Sequence, residues 1–142
     1  MISKDEAIYY KELLKNAYNA TKKNYNFIPV KDISDYNLRN KLYVMHHRYK
    51  KSPFLKKENN ELFFDEELYE KMITAKSILR DVILELYKHN KKEILKILRE
   101  FYTYNGAYQY IFLIKKGKKI NLYDKKETKL FEKIINLLDK FI

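Results

Sequence analysis

The residues best suited to chemistry lie in one short segment, Ile33–Lys51, which is predicted to form a helix. Apolar side chains recur there at helical spacing and predict one buried face: Leu38, Leu42, Met45 and Tyr49. A second row with the same spacing lies about 100° around the helix: Arg39, Tyr43, His46 and Lys50. Lys41 and Arg48 fall on the opposite flank. Such a helix would present cations on both shoulders and a ring among them, which suits a polyanion with exposed bases.

We predict from this pattern that the helix binds nucleic acid. The expected phosphate contacts are Arg39, Lys41, Arg48, Lys50 and Lys51. Tyr43 is the expected stacking ring, since a base stacked on an aromatic side chain contributes about 1–3 kcal/mol. Tyr36 and Tyr104 also lie off the predicted apolar faces. A second predicted patch consists of the lysines around Gly117: Lys115, Lys116, Lys118 and Lys119. These lysines equally fit a solvated turn, because phosphate contacts carry no sequence signature.

The charge of the whole chain favours an anionic partner. Its 142 residues include 30 Lys and Arg against 19 Asp and Glu, for a formal net charge of +11. The excess is concentrated in residues 36–60 and 115–126. A clustered basic footprint is typical of nucleic-acid binding. The alternative is a lysine-rich composition that only solvates the surface.

Several classes of chemistry lack their usual residues. The chain has no Cys, which excludes disulfides, thiolate metal sites and a cysteine nucleophile and fits a reducing compartment. His46 and His47 point about 100° apart on a helix, so local geometry does not let them share a metal ion. Carboxylate pairs such as Glu66 and Glu70 fit an exposed helix face. We therefore expect no enzymatic activity, no metal and no cofactor.

The location and domain content of the protein are also predicted. No apolar run approaches the roughly 20 residues that a membrane span needs. Charged residues near the start interrupt any secretory signal: Lys4, Asp5 and Glu6. We expect a cytoplasmic protein that does not contact membranes, with residues 1–142 forming one domain.

Helical periodicity predicts an all-α fold, a compact bundle of five or six helices. The first predicted elements are a helix from about Lys4 to Lys23, a second helix capped by Ser34, and a polar connection over Lys51–Phe64. They are followed by a helix Glu66–His89 capped by Asp65, a fourth helix that stops at Asn105-Gly106, and a last helix capped by Asp124. Residues 108–123 are interpreted as a short buried helix or, alternatively, as a hairpin that pairs 108–114 with 120–123.

Two segments carry a family resemblance. The second helix opens with Ile33-Ser34 and continues through Leu38-Arg39-Asn40, and a later segment runs from Leu98 to Tyr110 and on to Lys115-Lys116-Gly117-Lys118. Both resemble segments of the small subunit of type III-A CRISPR (Csm) effector complexes, and the similarity spans roughly residues 25–119. The resemblance implies a non-catalytic helical subunit in antiviral defence that contacts guide and target RNA. Arg39 would be a nucleic-acid contact, and the partners would be single-stranded or guide-paired RNA, other subunits and further copies of this chain.

Two other interpretations stay open. Ile78-Leu79-Arg80-Asp81, together with Asn121-Leu122 and Lys129-Leu130-Phe131, resembles the helical domain of an archaeal GINS replication subunit. That resemblance implies a protein–protein scaffold, and a viral accessory protein would have the same character. A helix-turn-helix DNA-binding protein is a third interpretation, which predicts a preference for duplex.

Overall fold

The computed structural model describes residues 1–48, 52–117 and 125–142. Within these residues the protein is mostly helical, with six α-helices and one three-stranded sheet. The elements in chain order are α1 (Lys4–Ala20), β1 (Phe27–Pro29), a 3-10 turn (Val30–Asp32), α2 (Tyr36–Arg48), β2 (Leu55–Glu58), β3 (Glu61–Asp65), α3 (Glu66–His89), α4 (Lys91–Leu98), α5 (Tyr104–Lys115) and α6 (Lys125–Asp139). None of these described helices is both long and apolar enough to cross a membrane.

The chain divides into two compact units. The helical unit consists of Met1–Asn19 and Ile73–Ile142, and the sheet unit consists of Ala20–Met72. The predicted all-α bundle is therefore correct in its mostly helical character, but the described part of the sheet unit adds strands that were not predicted.

The sheet unit contains an antiparallel sheet in the order β1-β3-β2. Asn59 and Asn60 join β2 to β3 with φ angles of 52° and 64°. Two successive positive φ angles are typical of the tight turn whose twist matches a hairpin, and Asn adopts them more readily than most residues. The predicted polar connection over Lys51–Phe64 is thus wrong from Leu55 onward, where the structure has two strands.

Asp65 joins the sheet to the long helix. Its side chain is buried, its Oδ1 accepts a hydrogen bond from the Leu68 N–H at 3.1 Å, and its Oδ2 accepts one from the Tyr25 N–H at 2.7 Å. The first bond caps α3, because the first N–H groups of a helix have no partner within it. The predicted cap at Asp65 and the predicted bounds of α3 are confirmed.

The second helix begins one residue later than predicted. Its cap is Asp35, whose Oδ1 accepts a hydrogen bond from the Leu38 N–H at 3.1 Å, and not Ser34. Both residue types suit a helix start, so the sequence does not distinguish them. Leu42 is fully buried, whereas Leu38 and Met45 are half-buried. The remaining residue of the predicted apolar face, Tyr49, lies outside the described residues.

In the helical unit, α3 contributes five buried side chains to the core, and they recur at helical spacing: Ala75, Leu79, Val82, Ile83 and Leu86. The fourth helix ends at Leu98, so the predicted stop at Asn105-Gly106 is wrong. Thr103 instead caps α5, since its Oγ1 accepts a hydrogen bond from the Gly106 N–H at 3.0 Å. A Cβ at Gly106 would lie 2.9 Å from that oxygen, which explains the glycine.

The helix interpretation of residues 108–114 is confirmed, because they lie within α5. The other half of the alternative hairpin, residues 120–123, lies outside the described residues, as does the predicted cap at Asp124.

Candidate nucleic-acid interface

A row of two exposed rings and a half-buried arginine runs along α2 in the sheet unit. The row, called here the α2 row, consists of Tyr36, Arg39 and Tyr43, which share one helix face at positions i, i+3 and i+7. The side chains of Tyr36 and Tyr43 are 64% and 46% exposed. Burial of Leu42 fixes which side of α2 faces outward. The predicted pairing of Arg39 with the Tyr43 ring on one face thus extends to a second ring, Tyr36.

Arg39 has a structural role as well as a place in the row. Its Nη1 donates a hydrogen bond to the Ile33 carbonyl oxygen at 3.3 Å, which ties α2 to the turn before it. Its guanidinium carbon lies 5.7 Å from the centroid of the Tyr36 ring. A guanidinium group carries five N–H donors, so several remain for a phosphate.

The other predicted cations of α2 lie on a different face. Lys41 and Arg48 are exposed and seven residues apart, so they share a face that is roughly 140° around the helix from the rings of the α2 row. The structure therefore places Arg39 with the rings and Lys41 with Arg48. The predicted contacts Lys50 and Lys51 lie outside the described residues.

Beside Tyr43 the sheet unit has an open groove of about 380 Å³, lined by Lys31, Tyr43, His46, Lys57, Asn60, Glu61 and Leu62. This volume falls in the range of small-molecule pockets. The groove brings a ring, two ammonium groups, an amide and a carboxylate to one place. Tyr43 belongs both to the groove and to the α2 row.

Two groups in the groove bear on what it can hold. The Nζ of Lys31 lies 3.0 Å from the Glu61 Oε1, and this contact raises the pKa of Lys31 above its usual range. The Nδ1 of His46 is buried and has no hydrogen-bond partner among the described residues. An unpaired buried nitrogen costs about 1–3 kcal/mol, which a ligand could recover by supplying the missing partner.

In the second predicted patch, Lys115 and Lys116 contact different aromatic rings. In the helical unit the Nζ of Lys115 lies 5.2 Å from the centroid of the Tyr87 ring, in a shallow cleft that also contains Asp81 and Glu85. The Nζ of Lys116 instead lies 4.4 Å from the centroid of Phe112. The other two predicted residues, Lys118 and Lys119, lie outside the described part of the chain.

Sequence reasoning missed most of the groove. Lys31 comes from the 3-10 turn, whereas Asn60 and Glu61 come from the hairpin. Only the Asn59-Asn60 pair signals the hairpin in the sequence, and it does not reveal that β3 pairs with β1 or that its turn lies beside α2.

No cluster of three or more His, Asp or Glu side chains suited to a metal ion is present among the described residues. Comparison with known proteins found no family model, no curated protein and no solved structure that matches this chain.

Proposed function

We propose that the protein is a non-catalytic RNA-binding protein that holds an unpaired stretch of RNA across the α2 row and the adjoining groove. One observation carries the proposal: the half-exposed Tyr43 ring lies in a row with Arg39 and also lines a groove that contains Lys31 and Lys57. Proteins that bind single strands combine rings for the bases with cations for the backbone.

Each group has a role in this arrangement. The rings of Tyr36 and Tyr43 stack on bases, which are accessible only where the strand is unpaired. Arg39 and Lys57 bind phosphate oxygens. The carboxylate of Glu61 accepts a hydrogen bond from a ribose 2′-hydroxyl, the group that distinguishes RNA from DNA.

At a finer level, we propose the role that the Csm resemblance implies: a small subunit of a cytoplasmic type III-A CRISPR complex that contacts the backbone of guide and target RNA. The exposed Lys41 and Arg48 would contact backbone from the far side of α2. The resemblance is what supports this finer proposal. Its test is whether the protein co-purifies with a guide RNA and with further subunits when expressed with them.

Fluorescence anisotropy tests the broader proposal. The full chain is titrated with single-stranded RNA, single-stranded DNA of the same sequence, and duplex RNA, each over a range of salt concentrations. We expect the tightest binding to single-stranded RNA, with log K falling against log salt by about 0.7 for each phosphate contacted. Absence of salt-dependent binding to single-stranded RNA would overturn the proposal and favour a protein–protein scaffold.

A matched pair of variants locates the site. Tyr43→Ala should weaken binding to single-stranded RNA by about 5- to 150-fold, the equivalent of one lost stack of 1–3 kcal/mol. The control is Tyr9→Ala, which removes a tyrosine that is 61% exposed on α1. Both variants should unfold at nearly the same temperature as the parent, since each side chain is largely outside the core. Equal affinity of the two variants would mean that the α2 row is not the site.

A further inference from the structure

Three aromatic side chains form an exposed row along α5 in the helical unit. Tyr104, Tyr108 and Phe112 are 61%, 38% and 54% exposed and occupy positions i, i+4 and i+8. Successive members are therefore about 6 Å apart along the helix axis, and the row spans about 12 Å. The neighbouring face of α5, roughly 110° around the helix, is buried and fixes the orientation of the row through Ala107, Tyr110, Ile111 and Ile114.

Cations lie against the rings at both ends of this α5 row. The guanidinium carbon of Arg99 is 4.3 Å from the centroid of Tyr104 and 5.8 Å from that of Tyr108. At the other end the Nζ of Lys116 is 4.4 Å from the centroid of Phe112. With these cations in contact, the three rings are still 38–61% exposed. Each ring thus has surface left for a ligand beside a positive charge.

The polar neighbours of the row suit a nucleic acid better than an apolar protein face. Asn105 and Gln109 are exposed on the same side of α5, and their amides can both donate and accept hydrogen bonds at base edges. No acidic residue occurs anywhere in α5. Rings flanked by cations and amides, on a helix that carries no carboxylate itself, match the chemistry of an unpaired strand.

We propose that the α5 row is a second binding site for unpaired nucleic acid, separate from the α2 row. The three rings along its 12 Å span offer stacking surfaces for up to three unpaired bases. The inference depends on the proposed function only for the choice of RNA as the strand. A duplex is excluded because its bases are stacked on each other and cannot lie on the rings.

The α5 row is tested with the double variant Tyr104→Ala/Tyr108→Ala of the full chain. Alanine favours helix, and both side chains lie outside the core, so the fold should persist as judged by circular dichroism. The substitutions are made in the Tyr43→Ala background, so that the site at α2 does not mask the loss. We expect the affinity of that background for a ten-nucleotide oligouridylate to fall at least tenfold, whereas adding the control Tyr9→Ala to it changes the affinity less than twofold. If the double variant does not fold, Arg99→Gln replaces it, with Lys92→Gln as its exposed control.

Cross-linking separates this proposal from the proposed function at α2. The parent and Tyr43→Ala are irradiated with an oligomer that contains 4-thiouridine, and the attached peptides are mapped. Cross-links within Tyr104–Lys115 that persist in Tyr43→Ala would support the α5 site even if α2 shows none. Cross-links confined to α2, together with unchanged affinity of the double variant, would overturn it and leave the row as a protein-facing surface. Cross-links at neither helix would reject both sites.

Discussion

Arg80 of α3 and Glu127 of α6 form a two-contact ion pair in the helical unit, in which Glu127 is buried and Arg80 is half-buried. The Nε of Arg80 donates a hydrogen bond to the Glu127 Oε2 at 3.2 Å, and the Nη2 of Arg80 donates one to the Oε1. Burial disfavours the charge of Arg80, but the hydrogen bond and charge of Glu127 outweigh it, so the pKa of Arg80 is raised. The pair links two helices that are distant in the chain.

Removing one partner of this pair should destabilise the protein strongly. Arg80→Met leaves the buried Glu127 without its cation and should lower the free energy of unfolding by about 3–5 kcal/mol in a urea titration. The control is Glu100→Gln, which breaks an exposed pair with Lys133 and should cost less than about 1 kcal/mol. The double variant Arg80→Met/Glu127→Leu should recover much of the loss, because no unpaired buried charge remains. Similar losses in Arg80→Met and Glu100→Gln would contradict this account.

Asp65 should contribute more to the free energy of unfolding than an ordinary helix cap does. Asp65→Ala removes the cap of α3 and also leaves the Tyr25 N–H without its acceptor, so we expect a loss of about 2–4 kcal/mol in unfolding free energy. The matched variant is Asp35→Ala, which removes the exposed cap of α2 and should cost about 1 kcal/mol. A smaller loss for Asp65→Ala than for Asp35→Ala would show that the bond to Tyr25 adds nothing.

The hairpin turn should distinguish small from branched side chains. Asn60→Gly should be tolerated, because glycine adopts positive φ freely, whereas Asn60→Val should lower the unfolding free energy by about 1–2 kcal/mol. Urea titrations of both variants measure the difference. Equal stability of the two would mean that residue 60 does not hold a positive φ in solution.

The start of α1 should depend on pH. The Ser3 N–H donates to the Glu6 Oε1 at 3.2 Å, and the Glu6 N–H donates to the Ser3 Oγ at 3.1 Å. These bonds with Ser3 lower the pKa of Glu6 below its ordinary value of 4.5. Because the folded-state pKa is lowered, the stabilisation is present above the ordinary pKa and is lost as pH falls through the folded-state pKa. An NMR titration of Ser3→Ala should show the Glu6 pKa returning only part of the way toward its ordinary value, because the backbone N–H of residue 3 remains as a donor. An unchanged pKa would show that the Ser3 hydroxyl takes no part in the cap.

The two faces of α2 should affect RNA binding differently. Lys41→Gln/Arg48→Gln removes two charges but no ring, so we expect weaker binding to every strand and a log–log salt slope lower by up to about 1.4. Tyr43→Ala should instead reduce the preference for unpaired over duplex RNA, since only unpaired bases stack on the ring. Anisotropy titrations with both kinds of strand measure this, and a changed strand preference in the lysine–arginine variant would contradict the assignment.

The parts of the fold that the sequence predicted are those with sustained local signals. α3 has 24 residues, a long apolar periodicity and an aspartate cap, and its predicted bounds and cap are confirmed. The hairpin was missed because β2 buries one side chain, Leu55, and shows little alternation. The third strand of the sheet, β1, lies more than 25 residues before the hairpin in the chain. Pairing over such a distance is set by tertiary contacts rather than by local pattern.

In the candidate sites, too, local patterns were predicted from the sequence and tertiary arrangements were not. Helical spacing placed Arg39 beside Tyr43 on one face of α2, but it did not reveal the groove, which is assembled from separate segments. The interpretation of residues 108–123 as a buried helix follows from the helical character of the rest of the chain and the marginal stability of a lone hairpin, and it implies no exposed face for Tyr108 and Phe112. Which side of α5 is buried depends on its neighbours, and the sequence alone did not show it.

The cap of α5 also bears on chemical degradation of the protein by deamidation. An Asn-Gly pair deamidates when the glycine amide nitrogen attacks the asparagine side-chain carbonyl and closes a ring. In α5 the Gly106 N–H is instead held by the Thr103 hydroxyl, and the helix restrains the backbone around Asn105. Thr103 therefore protects Asn105 from conversion to a carboxylate beside the exposed rings. During storage, a variant without this hydroxyl, such as Thr103→Ala, would slowly gain negative charge on that face of α5.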